Sequence, residues 1–203
     1  MIFDYDSALA DTEPLHWKSC VRMLEPYGID CTWEDYRVHG LGVDDVEMCD
    51  LIQRTWPHVN VSELLGRNAE RKQFVCELSL AQLPIPREAI VFLATLNKYR
   101  LGLVTSSERA IVESVLCACK LLDRFDARVF GGEAVKRKPS PEPYLLIRER
   151  PRIRTGVVFE DSSPGIESAL AAGFTVVKIG SPFDLPRIAS ESLSTQGSDI
   201  SGA

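Results

Sequence analysis

The chain has 203 residues, 45% of them hydrophobic, and a formal net charge of −6 at pH 7. That length allows one domain, or one domain carrying an inserted subdomain, with a real buried core. The acidic balance and the lack of a basic stripe with interleaved aromatics argue against a nucleic-acid partner, and no apolar run is long enough to span a membrane. Carboxylates begin at position 4, where a signal peptide would carry its basic region, so a cytoplasmic location is expected. The cysteines at 20, 31, 49, 76, 117 and 119 match no CxxC or zinc spacing. They are expected to pack as small hydrophobes in a reducing compartment.

Met1-Ile2-Phe3 is a short apolar lead into Asp4-Tyr5-Asp6, the pattern of a buried strand opening into a polar loop. Strand side chains alternate faces, so two useful carboxylates at this spacing require the chain to turn. Asp4 is then placed to act as nucleophile and Mg²⁺ ligand, and Asp6 to handle a proton. Pro14 to Pro26 follows as a helix, with Trp17, Cys20, Val21 and Leu24 at helical spacing and Gly28 as its stop. A second helix is expected over Asp45 to Arg54, where Asp44 and Glu47 are spaced as a capping box. A third, capped by Ser62, runs through Arg67 to Phe74. Residues 14–77 therefore form an all-helical block.

From there strands and helices alternate. Leu101 to Thr105 is a strand, Glu108 to Leu121 a helix, and Ala127 to Phe130 a weaker strand. Ser140-Pro141 starts a helix, Val157 to Phe159 is a strand, Ser163-Pro164 opens a helix that Gly173 closes, and Thr175 to Ile179 is the last strand. Such alternation implies an α/β fold: a Rossmann-like parallel sheet with helices on both faces, with the helical block inserted after the first strand. The expected division is a core of 1–13 and 78–188, a helical cap of 14–77, and a Ser-rich, frayed tail of 189–203.

Ligands of open parallel sheets bind at the carboxyl ends of the strands. The polar residues there are Asp4 and Asp6, then Thr105-Ser106-Ser107, then Glu160-Asp161-Ser162-Ser163, with Lys138 in a loop that opens a helix. Such carboxylates can hold a hard cation such as Mg²⁺ through oxygen. The Thr105 hydroxyl, helix N-terminal N–H groups and Lys138 can hold a phosphoryl group. Together they supply what in-line phosphoryl transfer needs.

At these positions the chain resembles the haloacid dehalogenase-like superfamily, subfamily IA, and within it the β-phosphoglucomutase/phosphoglycolate phosphatase-like group with a helical cap. Phe3-Asp4-Tyr5-Asp6-Ser7-Ala8-Leu9-Ala10-Asp11-Thr12-Glu13 matches the first family motif, Leu103-Val104-Thr105 the second, Lys138-Pro139-Ser140-Pro141-Glu142 the third, and Glu160-Asp161-Ser162-Ser163-Pro164-Gly165 the fourth. The resemblance implies a Mg²⁺-dependent phosphatase acting on a small phosphorylated metabolite through an aspartyl-phosphate. In it Asp4 attacks phosphorus and Asp6 is the acid and base, while Thr105 and Lys138 hold the transferring group. Asp4, the Asp6 carbonyl and Asp161 bind Mg²⁺, with Glu160 nearby or acting through water. Ser106, Ser107 and His16 are the expected substrate contacts, and a monomer or weak homodimer is expected.

The chain departs from the family pattern in places. Ser7-Ala8 replaces Gly-Thr, which predicts a less preorganised loop, and Arg137 replaces a common Gly. Three residues precede Asp4, so the first strand is short and the true start is expected upstream. The loop Val38 to Val43 lacks the Arg that sugar-phosphate mutases place there, which disfavours a phosphomutase. Asp6 disfavours a haloacid dehalogenase. A β-phosphoglucomutase-like sugar phosphomutase stays the nearest rival, and a non-catalytic binding protein that kept the fold, motivated by Ser7-Ala8 and the short start, is the other alternative.

Overall fold

The computed structural model describes residues 1–39 and 45–198. The chain forms two compact units, Met1–Asp11 with Leu83–Ala203, and Thr12–Gln82. β1 (Ile2–Phe3) opens the first unit. The second unit follows as α1 (Glu13–Leu24), α2 (Trp33–His39), α3 (Asp45–Thr55), α4 (Val61–Gly66) and α5 (Asn68–Ala81). The first unit resumes with α6 (Arg87–Thr95), β2 (Gly102–Val104), α7 (Arg109–Ala118), β3 (Ala127–Val129), α8 (Glu142–Glu149), β4 (Val157–Glu160), α9 (Ser163–Ala171), β5 (Thr175–Lys178) and α10 (Leu185–Ser198).

The five strands form one parallel sheet in the order β3-β2-β1-β4-β5, the α/β Rossmann-like arrangement expected from the alternation. β1 is short but central. Ile2 lies level with Gly102 and Val158, and Phe3 with Leu103 and Phe159. Period-two alternation sorts the strand residues onto two cores. Phe3, Leu103 and Phe159 face the cluster that includes Val112 and Val115 of α7, Leu93 of α6 and Leu185 and Ala189 of α10. Ile2, Val104 and Val158 face the opposite cluster, with Tyr144 and Ile147 of α8 and Ala169 of α9. Phe3 stacks on Phe159 with ring centroids 5.2 Å apart. Those aromatic contacts let so short a strand anchor the sheet.

The second unit has its own core. Cys20, Leu24, Cys31, Tyr36, Met48, Ile52 and Leu64 are buried together, with Trp17 and Trp56 packed against them. Cys20, Cys31, Cys49 and Cys119 are buried, as small hydrophobes would be, whereas Cys117 is exposed.

Several local expectations are corrected. α4 is capped by Asn60, whose side chain accepts the Glu63 N–H, and not by Ser62. Asn60 takes extended backbone and so presents its carbonyl to the helix start, as a cap must. The block divides at α4 and α5 where one helix was expected, and α5 runs to Ala81, beyond residue 77. α2 and α6 were not anticipated. The stretch from Ala189 was expected to fray, yet α10 continues through it to Ser198, because Ile188, Ala189 and Leu193 pack on the sheet's core. Asp44, the cap of the expected Asp44–Glu47 capping box, and the loop from Gly40 to Val43 lie outside the described residues.

After β1 the chain turns tightly. Leu9 and Ala10 N–H groups both donate to the Tyr5 carbonyl (3.1 and 2.8 Å), and Ser7 N–H donates to the Ala10 carbonyl (2.8 Å). Ser7 has φ +57°, the left-handed region that costs a side chain energy. Ala8, which lacks the expected bracing hydroxyl, is fully buried with Leu9 and Ala10 in the core below the sheet end. Apolar packing therefore holds the turn. Ser7→Gly removes the Cβ at the left-handed position and is expected to raise unfolding stability by about 0.5–1 kcal/mol, measured by urea denaturation.

Candidate active site

β1, β2 and β4 are adjacent and parallel, so their carboxyl ends deliver side chains to one edge of the first unit. Sheet hydrogen bonds carry the backbone into the site. Asp4 N–H donates to the Phe159 carbonyl (2.9 Å) and Thr105 N–H to the Val129 carbonyl (3.0 Å). Asp4 and Thr105 are buried, and Glu160 is fully buried.

Lys138 stands between the carboxylates. Its Nζ donates to Asp4 Oδ1 at 2.6 Å, to Glu160 Oε1 at 2.5 Å and, at 3.5 Å, to the Val104 carbonyl. Its side chain is 9% exposed. Burial acts to lower the Lys138 pKa, but Asp4, Tyr144 and Glu160 outweigh burial and raise it well above the usual lysine value, which holds Lys138 as an ammonium. Burial pushes the Asp4 carboxyl well above the usual carboxylate range, and Glu160 and Asp6 add to this against the opposing pull of Lys138. Burial, then Glu160, pushes Asp161 up to about 6.

Asp6 is partly buried. Its Oδ2 accepts from the Ser107 hydroxyl (2.7 Å) and the Thr105 hydroxyl (3.2 Å), while Ser107 N–H donates to Thr105 Oγ (2.9 Å). Ser106 is exposed. Its carbonyl packs on Gly131, where a Cβ would stand 2.1 Å from that oxygen. α7 opens at Arg109 with Glu108 at its N-cap position and no side-chain cap. Thr105 to Ser107 are thus a loop ahead of the helix, and the Thr105 and Ser107 hydroxyls serve Asp6.

Glu160 is fully engaged. Its Oε1 accepts from Lys138 and from the Tyr144 hydroxyl (3.2 Å), and its Oε2 from the Ser162 N–H and hydroxyl (3.0 Å each). Ser162 also caps α9 through Gly165 N–H (3.1 Å). The Lys138 loop is pinned by Glu142, whose two oxygens accept the N–H groups of Val135 (2.6 Å) and Lys136 (3.1 Å).

Asp4, Glu160 and Asp161 can each point a carboxylate oxygen so that the three lie within 4.8 Å of one another. An all-oxygen set with more carboxylate than ammonium charge fits a hard divalent cation such as Mg²⁺ and not zinc. With both Glu160 oxygens already accepting, Asp4 and Asp161 are the members with capacity for it.

The structure therefore brings Asp4, Asp6, Thr105, Ser107, Lys138, Glu160 and Asp161 together. His16 lies on α1 in the second unit, where its carbonyl accepts the Ser19 hydroxyl (2.6 Å). Sequence reasoning missed Tyr144 and the duties of Glu142 and Ser162. The available signal was position: Tyr144 follows Glu142 by two residues in the first turn of α8, and with Ile147 it marks that helix's buried face.

Residues 1–179 match the family model of haloacid dehalogenase-like hydrolases. A phosphorylated carbohydrates phosphatase of Thermotoga maritima is 35% identical over 177 residues, spanning 85% of this chain and 81% of that protein. The fructose-1-phosphate phosphatase YqaB of Escherichia coli K12 is 30% identical over 186 residues, spanning 88% and 95%. A Thermotoga maritima structure provisionally assigned as a beta-phosphoglucomutase superimposes with a TM-score of 0.69 at 28% identity, covering 94% of this chain and 97% of its own. With a family model matched almost from end to end and the motif residues gathered at one sheet edge, the chain belongs to the haloacid dehalogenase-like hydrolase family.

Proposed function

We propose that the protein is a Mg²⁺-dependent phosphatase that hydrolyses a small phosphomonoester, a sugar phosphate or similar metabolite, through an aspartyl-phosphate. The observation that carries this reading is the buried Lys138 ammonium, 2.6 Å from Asp4 Oδ1, beside an Asp6 already hydrogen-bonded to two hydroxyls. The names of the Thermotoga and Escherichia relatives, both phosphatases of phosphorylated sugars or carbohydrates, support it.

Lys138 occupies Oδ1 of Asp4, so attack on phosphorus falls to Oδ2. The new O–P bond forms as the bond to the substrate's alcohol oxygen breaks, and Asp6 gives that oxygen its proton. Asp6 then takes a proton from water, which attacks the phosphoryl-aspartate and returns Asp4 and inorganic phosphate. Thr105 and Lys138 hold the transferring oxygens, with Ser106 and Ser107 beside them. Mg²⁺, held by Asp4, Asp161 and the Asp6 carbonyl with Glu160 behind them, would neutralise charge on the phosphoryl group.

A panel of phosphorylated metabolites, assayed for phosphate release with and without Mg²⁺, tests the reading directly. Release from none of them in Mg²⁺ would sink it. Asp4→Asn keeps size but removes the attacking charge, and turnover should fall by roughly a thousandfold or more while the circular dichroism spectrum is unchanged.

The metal site makes a separate expectation. A folded-state carboxyl raised to about 6 binds its proton more readily than in the unfolded chain. Its stabilising contribution is complete below the unfolded pKa and is lost as pH rises through about 6. In metal-free protein at neutral pH, ionised Asp161 is therefore unfavourable, and Asp161→Asn should raise the melting midpoint by about 2 °C, the partial exposure of the group keeping the gain small. Mg²⁺ should stabilise the wild type and not this variant, and its affinity for the wild type should weaken as pH falls through about 6. Calorimetric melting with EDTA or Mg²⁺ checks both signs.

A further inference from the structure

Tyr144 takes no part in the scheme above, yet it is fully buried against the charged centre. Its hydroxyl donates to the same Glu160 oxygen that receives the Lys138 ammonium, and the Lys138 Nζ lies 5.2 Å from its ring centroid. We infer that Tyr144 is a positioning residue for phosphoryl transfer, acting through Glu160 to hold Lys138 at Asp4. This role rests on the phosphatase reading.

A lysine is a point charge on a flexible four-carbon stem, so nothing in its own geometry aims it. Here the aim is set from behind. Glu160 has four hydrogen-bond donors on its two oxygens, from Lys138, Tyr144 and, twice, Ser162. The α9 backbone closes over it at Gly165, where a Cβ would stand 1.7 Å from Oε1. A carboxylate so enclosed cannot follow the ammonium if Lys138 moves, so it fixes one side of the ammonium while Asp4 or a phosphoryl oxygen takes the other. The Tyr144 ring adds a cation–π contact on a further side. Lys138 and Tyr144 also share one segment, whose loop Glu142 ties to the start of α8, so hydroxyl and ammonium are placed by the same backbone.

A purely structural tyrosine and a positioning one differ in measurable ways. Tyr144→Phe keeps the ring, the volume and the cation–π contact and removes only the hydroxyl. Loss of one hydrogen bond to a charged group should lower kcat about tenfold with KM and the Mg²⁺ activation constant changed less than about twofold. In a Glu160→Gln background the same substitution should have little further effect, since residues that act as a unit are non-additive. The experiment is this double-mutant cycle on purified protein, with the substrate the wild type turns over best, and with melting curves to verify folding. Wild-type kcat in Tyr144→Phe would overturn the role, as would the full tenfold loss persisting in Glu160→Gln. A Tyr144→Phe enzyme that only melts earlier, with kcat unchanged, would mark the hydroxyl as structural. Absence of phosphate release from the wild type would instead overturn the phosphatase reading, and this role with it.

Discussion

The first unit is organised around a buried ammonium held between two buried carboxylates. Taking such ions out of water costs several kcal/mol each, which is recovered only when every remaining lone pair and proton finds a partner. Lys138 meets that demand by reaching Asp4, Glu160 and the Val104 carbonyl at once. The sheet order makes this possible. With β1 flanked by β2 and β4, Asp4 and the strand ends bearing Thr105 and Glu160 stand one strand spacing apart, about 4.8 Å. Lys138 arrives from the segment between β3 and α8 to fill the space above them. Truncating either carboxylate would strand a buried charge, a defect of about 3–5 kcal/mol. The same arrangement that gathers negative charge at the sheet edge is thus also a constraint on folding.

Asp6 is governed differently. It is partly exposed and rests on hydroxyls, whose hydrogens rotate to suit whichever partner is present. Asp4 is clamped and Asp6 is adjustable, although a single residue separates them. The turn after Tyr5 creates that contrast, directing Asp4 into the sheet end and Asp6 toward the Thr105–Ser107 loop.

Much of this was legible in the sequence because strand ends are. An apolar run that stops at Asp4, Thr105 or Glu160 announces both the strand and the side chain it delivers, and the parallel order follows from the intervening helices. Cross-chain contacts were not legible. Nothing in Pro143-Tyr144-Leu145 says that the tyrosine meets a glutamate sixteen residues on, because that meeting depends on how α8 packs on the sheet at the end of β4. Helix ends were misplaced where two caps competed, as with Asn60 and Ser62, since backbone conformation and not residue type decided between them. α10 was missed because its serines conceal a sparse apolar stripe of Ile188, Ala189 and Leu193 that only the finished core reveals. Ala8 is the converse case: its missing hydroxyl suggested a loosened loop, and burial supplied the bracing instead.

Ser7 and Gly165 show two distinct ways a position can resist change. Ser7 bears a torsional cost that other residues could bear too. Gly165 is closed by volume, since any side chain there would occupy the place of the Glu160 carboxylate. Positions 160 and 165 are therefore locked in sequence space as a pair. An alanine can enter at 165 only after the acid at 160 has been shortened or withdrawn, and a shortened acid would in turn leave Lys138 without its anchor. Drift across this site must pass through an intermediate that is either overfilled or slack.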